Sequence, residues 1–469
     1  MTEHTGGPFP EGSAPRRGLR RLVRSELPPT EPMRLVDRLA GSPYANPTIQ
    51  VGGPDASARR AIDFALRLAE TLFRFGAGAL EVETSVIAVT AAFGLRSVEV
   101  DVTNQSVSIN HAPKNATPIS VLRVVRSSST NYAGLVELHR LVTQIATASV
   151  TLPEAERRLQ QLLIRPKPYP RWLVQAARAV FAGCIVTLLG GGPWGALIAA
   201  GTAVALGFVD RACKRWRVPE FFTTAFAAAL VTGIALFFLW LQVPVPPGTV
   251  ITGGILLLLP TARLVSAVQD GINGFPVTAA GRFLTAFLTF TALVAGIGVA
   301  TAFGVQWGVG KDTVSQFTGV VPPIPVVLLL VAGATVLAAV TEQTLPRLLL
   351  PTACCGLAGY AVFLLMLAVG VGPRLAPAIA ATAVGVIVRL VSLRLGAPPL
   401  VMTVPSILFL LTGLSIFRAM FAVTVAPDAP LDGVVGLFNA LVVVLGVAAG
   451  VVLGDTLARP IRWRPRRRI

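Results

Sequence analysis

The chain is short of charge: only 13% of its 469 residues are Asp, Glu, Lys or Arg. Water-soluble globular proteins carry about 25%, so a string of soluble domains is excluded despite a length that would hold two or three. Acids are scarcer than bases, 23 against 40, leaving a formal charge of +17. In so apolar a chain (mean hydropathy +0.70) that excess points to basic loops beside a bilayer rather than to nucleic-acid binding. Histidine is nearly missing. His4, His111 and His139 all lie outside the long apolar runs, so neither a His-Glu-x-x-His metal site nor an intramembrane Ser–His pair can be assembled. The four cysteines, Cys184, Cys213, Cys354 and Cys355, lack metal-ligand spacing and are expected as reduced thiols. No cofactor is implied.

What is present divides near residue 171. Residues 1–54 hold basic and Pro-rich stretches such as Pro15-Arg16-Arg17 without apolar periodicity, the pattern of a disordered basic tail. No apolar core follows these arginines, as a signal peptide would require. Residues 55–170 are expected to form a small cytoplasmic α+β domain. Asp63, Arg67, Glu70 and Arg74 leave Ile62, Leu66, Ala69 and Phe73 as one apolar helix face, ended by Gly76. Residues 81–93 read as a second helix before Gly94. The period then falls to two. Val98, Val100 and Val102 alternate with polar residues, Asn104-Gln105 turns the chain, and Val107 and Ile109 return. Residues 119–125 suit a third strand, Asn131 starts another helix, and Thr151 to Glu154 reads as a capping box.

Beyond Pro170 the chain is nearly continuous apolar sequence. At about 20 residues per span, ten spans fit, near 172–190, 194–209, 221–241, 249–267, 283–304, 324–341, 348–369, 375–391, 401–423 and 433–454. Arg165, Lys167, Arg171, Arg211 to Arg217, Arg282, Arg347, Arg389, Arg394 and the tail from Arg459 fall on one set of loops; Lys311 and Arg374 fall on the other. The positive-inside rule then places both termini in the cytoplasm. Ile255 to Ser266 echoes Ile407 to Arg418 at an offset of 152. That offset divides the spans five and five, at 171–305 and 324–456, around an external linker at 306–323 and ahead of a basic tail at 457–469. Five is odd, so the second half enters the membrane inverted, as in many secondary transporters. The echoing spans are interrupted, by Gly253-Gly254 and Pro260 and by Pro405 and Gly413. Such breaks read either as simple kinks or as exposed backbone lining a site.

Gly76-Ala77, Val82-Glu83, the Gly94 turn, Asn131-Tyr132, Tyr169 to Leu173, Leu188 to Gly191, Leu259-Pro260, Asp270-Gly271, Gly274 and Gly281-Arg282 resemble, in order and spacing, the threonine/serine exporter family from about residue 55 to 455. The family's Pro-Gly break is divided here between Pro260-Thr261 and Thr412-Gly413. The resemblance implies export of small hydrophilic amino acids, driven by the proton motive force. Two-chain relatives of the same architecture imply a dicarboxylate alternative, and a passive channel gated by the soluble domain is a third reading.

Intramembrane ionisable residues are the first candidates for function. Arg263 and Arg418 fall in the repeated segment, where Arg263 aligns with Ser415 and Ser266 with Arg418. Either arginine suits a bidentate clamp on a substrate carboxylate, with Pro260 and Gly413 opening the backbone beside it; snorkelling or backbone bonding is the competing reading. Asp270, Glu342 and Asp455 are the proton-coupling candidates, against a plain interfacial role, and Asp270 could pair with Arg282. Glu83 and Arg282 are candidates for gating. Arg178 is expected to face the interior or snorkel, and Asp210-Arg211 to form an ion pair in a loop. Gly308-Val-Gly-Lys311-Asp312 has Asp where a P-loop needs Ser/Thr, and Leu453-Gly454-Asp455 lacks the first Gly of a membrane aspartyl protease. The expected partners are an amino-acid or carboxylate substrate, protons and the lipid bilayer, with homo-oligomerisation left open.

Overall fold

The computed structural model describes residues 56–95, 98–103, 105–112, 118–125, 129–306, 322–411, 415, 418, 419, 422 and 430–458. The basic tails, most of the 306–323 linker and Gly413 lie outside them.

A helix–sheet unit comes first: α1 (Ala56–Arg74), α2 (Ala79–Ala92), β1 (Val98–Val102), β2 (Ser106–His111), β3 (Ile119–Val124), α3 (Tyr132–Ala146) and α4 (Leu152–Ile164). Helix α1 forms because its apolar residues recur at helical spacing: Ile62, Leu66, Ala69 and Leu72 are all buried on one face. Gly76, at φ +105°, and Gly94, at φ +86°, end α1 and α2 in a backbone region that side chains disfavour. The strands form one antiparallel sheet in the order β1-β2-β3, with Val100 opposite Ile109 and Ile109 opposite Val121. The Asn131 Oδ1 accepts the Gly134 amide at 3.1 Å and so caps α3. The expected capping box at Thr151 is not made. Thr151 forms no side-chain cap, and Glu154 turns instead to Arg157 and Arg158.

Thereafter the chain is helical: α5 (Arg171–Leu188), α6 (Gly192–Arg215), α7 (Glu220–Trp240), α8 (Pro247–Leu256), α9 (Thr261–Ile272), α10 (Pro276–Gln306), α11 (Ile324–Thr341), α12 (Pro346–Ala368), α13 (Ala376–Leu395), α14 (Leu400–Ile407) and α15 (Pro430–Ala458). Eight of these are long and apolar enough to cross a membrane, and α8 with α9 meets the same test only as a pair, bent by 55° at the break between them. The protein is a polytopic helical membrane protein. The predicted fourth span is broken at 257–260, at the Pro260 interruption read from the sequence, whereas Gly253-Gly254 stay inside α8. The predicted ninth span is described only as α14 and a 3-10 turn at Leu408–Leu410. Asp210 and Arg211 lie inside α6, not in a loop; Asp210 pairs with Lys214 at 2.7 Å and Arg211 donates to the Gly207 carbonyl.

The offset of 152 carries through the helices. Moved by that amount, α5 falls at 323–340 on α11, α7 at 372–392 over most of α13, α8 at 399–408 on α14 and α10 at 428–458 on α15. Packing follows the same scheme: α5 against α6 as α11 against α12, α7 against α10 as α13 against α15, and α8 against α5, α6 and α7 as α14 against α11, α12 and α13. Helices α5 and α11, equivalent in this scheme, also pack against each other. The closest crossings use glycine. A Cβ on Gly296 would strike the Ala225 carbonyl oxygen, and one on Gly454 that of Thr382.

Candidate functional site

Proline decides where α8 ends. Pro260 has no amide hydrogen, so the Leu256 carbonyl four residues earlier has no helical donor. Residues 257–260 turn the chain and α9 starts afresh at Thr261. The amides of Ala262 and Arg263 make no backbone hydrogen bond, as expected in a first helical turn. Every residue of α8 is buried.

A cavity of about 700 Å³ opens at this break. Its lining comes from both parts of the chain: Leu256 to Arg263 and Ser266 at the break, Arg178, Glu220, Arg282 and Glu342 from neighbouring segments, and Arg74, Thr130 and Tyr132 from the helix–sheet unit. Three oppositely charged pairs lie in or beside it. Arg263 meets Glu220 at 2.6 Å, Lys214 meets Asp210, and Arg282 Nη1 meets Asp270 Oδ2 at 2.7 Å. Set aside, they leave Arg74, Arg178 and Glu342.

Among the described residues no ion pair or hydrogen bond engages the Arg178 side chain, although its charge acts on Glu342. Burial holds the Glu342 carboxyl above its usual range; Arg178, the Thr130 hydroxyl and Lys167 pull the other way. Tyr132 is 1% exposed and its phenol oxygen has no hydrogen-bond partner. Burial, then the Glu342 charge, push that phenol well above its ordinary range. Thr261 Oγ1 and Arg74 Nε are likewise buried without partners. A cavity bordered by unsatisfied buried donors is unusual in a finished core, where such groups are paired.

The break is fastened to the helix–sheet unit by Asp270, which is 0% exposed. Its Oδ1 accepts the Ala79 amide at 2.8 Å, at the first residue of α2. Gly78, the residue before, supplies no side-chain cap, so Asp270 caps α2 from a distant helix. Arg282 adds a bond to the Ala77 carbonyl at 3.0 Å and lies 4.6 Å from the Phe73 ring centre. The Asp270–Arg282 contact is an ion pair without hydrogen-bond alignment. A second fastening joins the α11–α12 turn to α3. Tyr132 and Ala133 amides donate to the Glu342 and Gln343 carbonyls, and the Gln343 side chain bonds both backbone groups of Tyr169.

The structure thus brings Pro260, Arg263, Ser266, Arg282 and Glu342 to one cavity, with Asp270 next to it in the pairing expected with Arg282. It does not bring Asp455 there; that residue lies 3.5 Å from Arg389. Ser415 and Arg418 are exposed and not among the lining residues. Glu83 is half-buried in α2, away from the cavity. Sequence reasoning missed Glu220, Thr130 and the hydroxyl of Tyr132. Glu220 had the only available signal, as an acid opening an apolar span.

The family described as "Putative threonine/serine exporter" matches residues 63–304, and "Threonine/Serine exporter, ThrE" matches residues 327–457. The chain is 32% identical over 462 residues to a "Probable threonine/serine exporter" of Mycobacterium tuberculosis, covering 97% of this chain and 85% of that one. It is 32% identical over 449 residues to a "Threonine/serine exporter" of Corynebacterium glutamicum, covering 92% and 89%. A "Probable succinate transporter subunit YjjP" of Klebsiella aerogenes is 26% identical over 261 residues, 54% of this chain and 97% of that one. No solved structure matches the chain. Two family matches that cover most of the described residues, with the relatives that extend across nearly the whole chain, establish that this protein belongs to the threonine/serine exporter family.

Proposed function

We propose that this protein exports L-threonine and L-serine across the plasma membrane by alternating access, driven by the proton motive force. Ten helical segments form two inverted five-segment repeats in this reading, and the helix–sheet unit and both termini are cytoplasmic. The chamber at the α8–α9 break carries the proposal. It is lined by the helix–sheet unit and by the end of α8 together; a chamber at a broken helix is where secondary transporters built from repeats hold their substrate. The shared packing scheme of the two halves supports the repeat, and the basic residues near the chamber support the orientation. The names of the relatives support the substrate class.

The start of α9, where free amides and the positive helix end meet Arg263 on its Glu220 partner, with Pro260 and Ser266 beside them, draws the anionic end of the substrate into the chamber. Ser415, Arg418 and Gly413 are the swapped counterparts in the second half and serve the opposite-facing state. Glu342 is the chamber carboxylate for protons, since Asp270 is engaged by Arg282 and Asp455 lies near Arg389. Arg282 and Glu83 act on the cytoplasmic unit's docking.

Reconstituted protein loaded with labelled threonine, serine or succinate tests this. Exchange of threonine and serine, with uphill export abolished by a protonophore, is expected, and Arg263→Gln is expected to lose it. Flux indifferent to gradients would favour a channel. Preference for succinate would favour the dicarboxylate reading, which the name of the succinate-transporter relative suggests.

A further inference from the structure

We propose that Arg178, Glu342 and Tyr132 form a subsite that reads the charged head of an amino acid, Arg178 taking the carboxylate and Glu342 and the Tyr132 hydroxyl taking the ammonium. The inference deepens the export reading and rests on it.

Four observations carry it. First, the two charges face each other across the chamber without a direct bond, and each retains bonding capacity. Arg178 has no hydrogen-bond or ion-pair partner among the described residues, and the Glu342 carboxylate makes no ion pair there, with the Thr130 hydroxyl beside it. A zwitterion presents its own two charges on neighbouring carbons and can satisfy both at once. Second, the Tyr132 hydroxyl is buried, unpartnered and within the influence of Glu342. A hydroxyl in that state gains most from a polar ligand. Third, the site sits where the repeats meet. Arg178 is on α5, Glu342 follows α11, and these equivalent helices pack together. Fourth, the subsite breaks the repeat symmetry. The position equivalent to Glu342 is Gly190, and that equivalent to Arg178 is Leu330. Only one arrangement of the two halves can therefore present this charge pair.

The charges also set selectivity. With the three bonded pairs neutral, the remaining groups are Arg74, Arg178 and Glu342. A monocarboxylate without an ammonium leaves Glu342 unmatched. A dicarboxylate places its second charge against it. Glu342 thus selects for amino acids and against dicarboxylates, and Glu342→Gln leaves two guanidinium groups facing the chamber with no acid between them.

The test is competition against labelled-threonine counterflow in proteoliposomes, using threonine, 3-hydroxybutyrate (no ammonium), threoninol (no carboxylate) and succinate. In the unmutated protein, 3-hydroxybutyrate and threoninol should each compete about tenfold to a hundredfold more weakly than threonine, the range for losing one charged hydrogen bond. Glu342→Gln should close the gap between threonine and 3-hydroxybutyrate and raise competition by succinate. Arg178→Gln should close the gap between threonine and threoninol. Tyr132→Phe, which breaks no hydrogen bond in the folded protein, should weaken threonine severalfold while leaving 3-hydroxybutyrate unchanged. Variants that transport threonine but keep the unmutated order of competitors would overturn the subsite while leaving the export reading intact. Absence of threonine counterflow in the unmutated protein would overturn both.

Discussion

Asp270 gives the sharpest quantitative test of how the broken helix is tied to the helix–sheet unit. Asp270→Asn preserves an oxygen for the Ala79 amide but removes the charge opposite Arg282, which is 11% exposed. Stranding one member of a buried pair costs about 3–5 kcal/mol. The Ala77 bond and Phe73 contact that Arg282 keeps put the expected cost at the lower end, about 3 kcal/mol. Asp270→Ala also uncaps α2, adding about 1 kcal/mol. Combining Asp270→Asn with Arg282→Met removes both charges and should cost less than Asp270→Asn alone, because no buried ion is left unmatched. The expected order, worst first, is Ala, Asn, then the Asn/Met pair. Hydrogen exchange of the segment from Gly76 to Val82 in the purified full chain reads this directly. A loss of about 3 kcal/mol corresponds to roughly hundredfold faster exchange when the segment opens locally. Unchanged exchange in Asp270→Asn, or a double variant more open than Asp270→Asn, would refute the stranded-charge argument, and Asp270→Ala exchanging no faster than Asp270→Asn would refute the trans-cap.

Glu81, with a side chain 25% exposed, lies 3.9 Å from His139 on α3, and burial pushes its carboxyl up to about 7. The folded state then holds this proton more tightly than the unfolded state, so stability falls as pH rises from about 4.5 to about 7 and is level above. Burial, then Arg389, lower His139, which gives the opposite slope in both the unmutated and Glu81→Gln proteins. The variant should gain up to about 3 kcal/mol over the unmutated protein between those limits; melting curves at pH 5, 6, 7 and 8 whose difference stays constant would contradict the assignment. At the α13–α15 crossing, Gly454→Val should force the helices apart against the Thr382 carbonyl and lower thermal stability by several degrees, and Gly296→Val should do the same at α7–α10. Equivalent substitution at Gly333 or Gly233, where nothing lies within 4 Å of an added Cβ, is the control and should be silent.

Much of this was readable because it depends on period and spacing. The change from 3.6 to 2 at Val98 located the sheet, and long apolar runs located the spans. The 152-residue offset was visible in one segment and recurs in helix bounds it was not drawn from. The break was foreseen at Pro260, and Gly253-Gly254 were wrongly counted with it. Gly253 and Gly254 look like helix breakers, yet they remain helical because they let neighbours approach: a Cβ on Gly254 would lie 2.6 Å from Val231 Cγ1, and one on Gly253 would lie 3.0 Å from the Ala182 carbonyl oxygen. Pro260 breaks the helix since a missing donor cannot be repaired by packing. Less visible still was the chamber's makeup. Glu342 appeared as one of three proton-coupling candidates, Arg178 as a residue facing the interior or snorkelling, and Tyr132 as the residue after a cap. Their meeting depends on how α5, α11 and α3 pack, which no local pattern encodes.

The clearest lesson lies in the turns that the repeat makes equivalent. Between α5 and α6 the chain has Gly190-Gly191, whereas between α11 and α12 it has Glu342-Gln343. The first turn is sealed: a Cβ on Gly191 would lie 2.6 Å from the Thr249 hydroxyl of the broken span and would strike Val186. The second projects a carboxylate into the chamber and two carbonyls onto the start of α3. In the proposed inverted repeat these turns fall at opposite ends of the bundle, one lined by small residues and the other charged and bonded to α3. The 152-residue offset gives the two turns equivalent places in the chain, and their side chains make them unequal. An exporter needs that inequality, because a symmetric pathway has no reason to bind its substrate differently on the two sides.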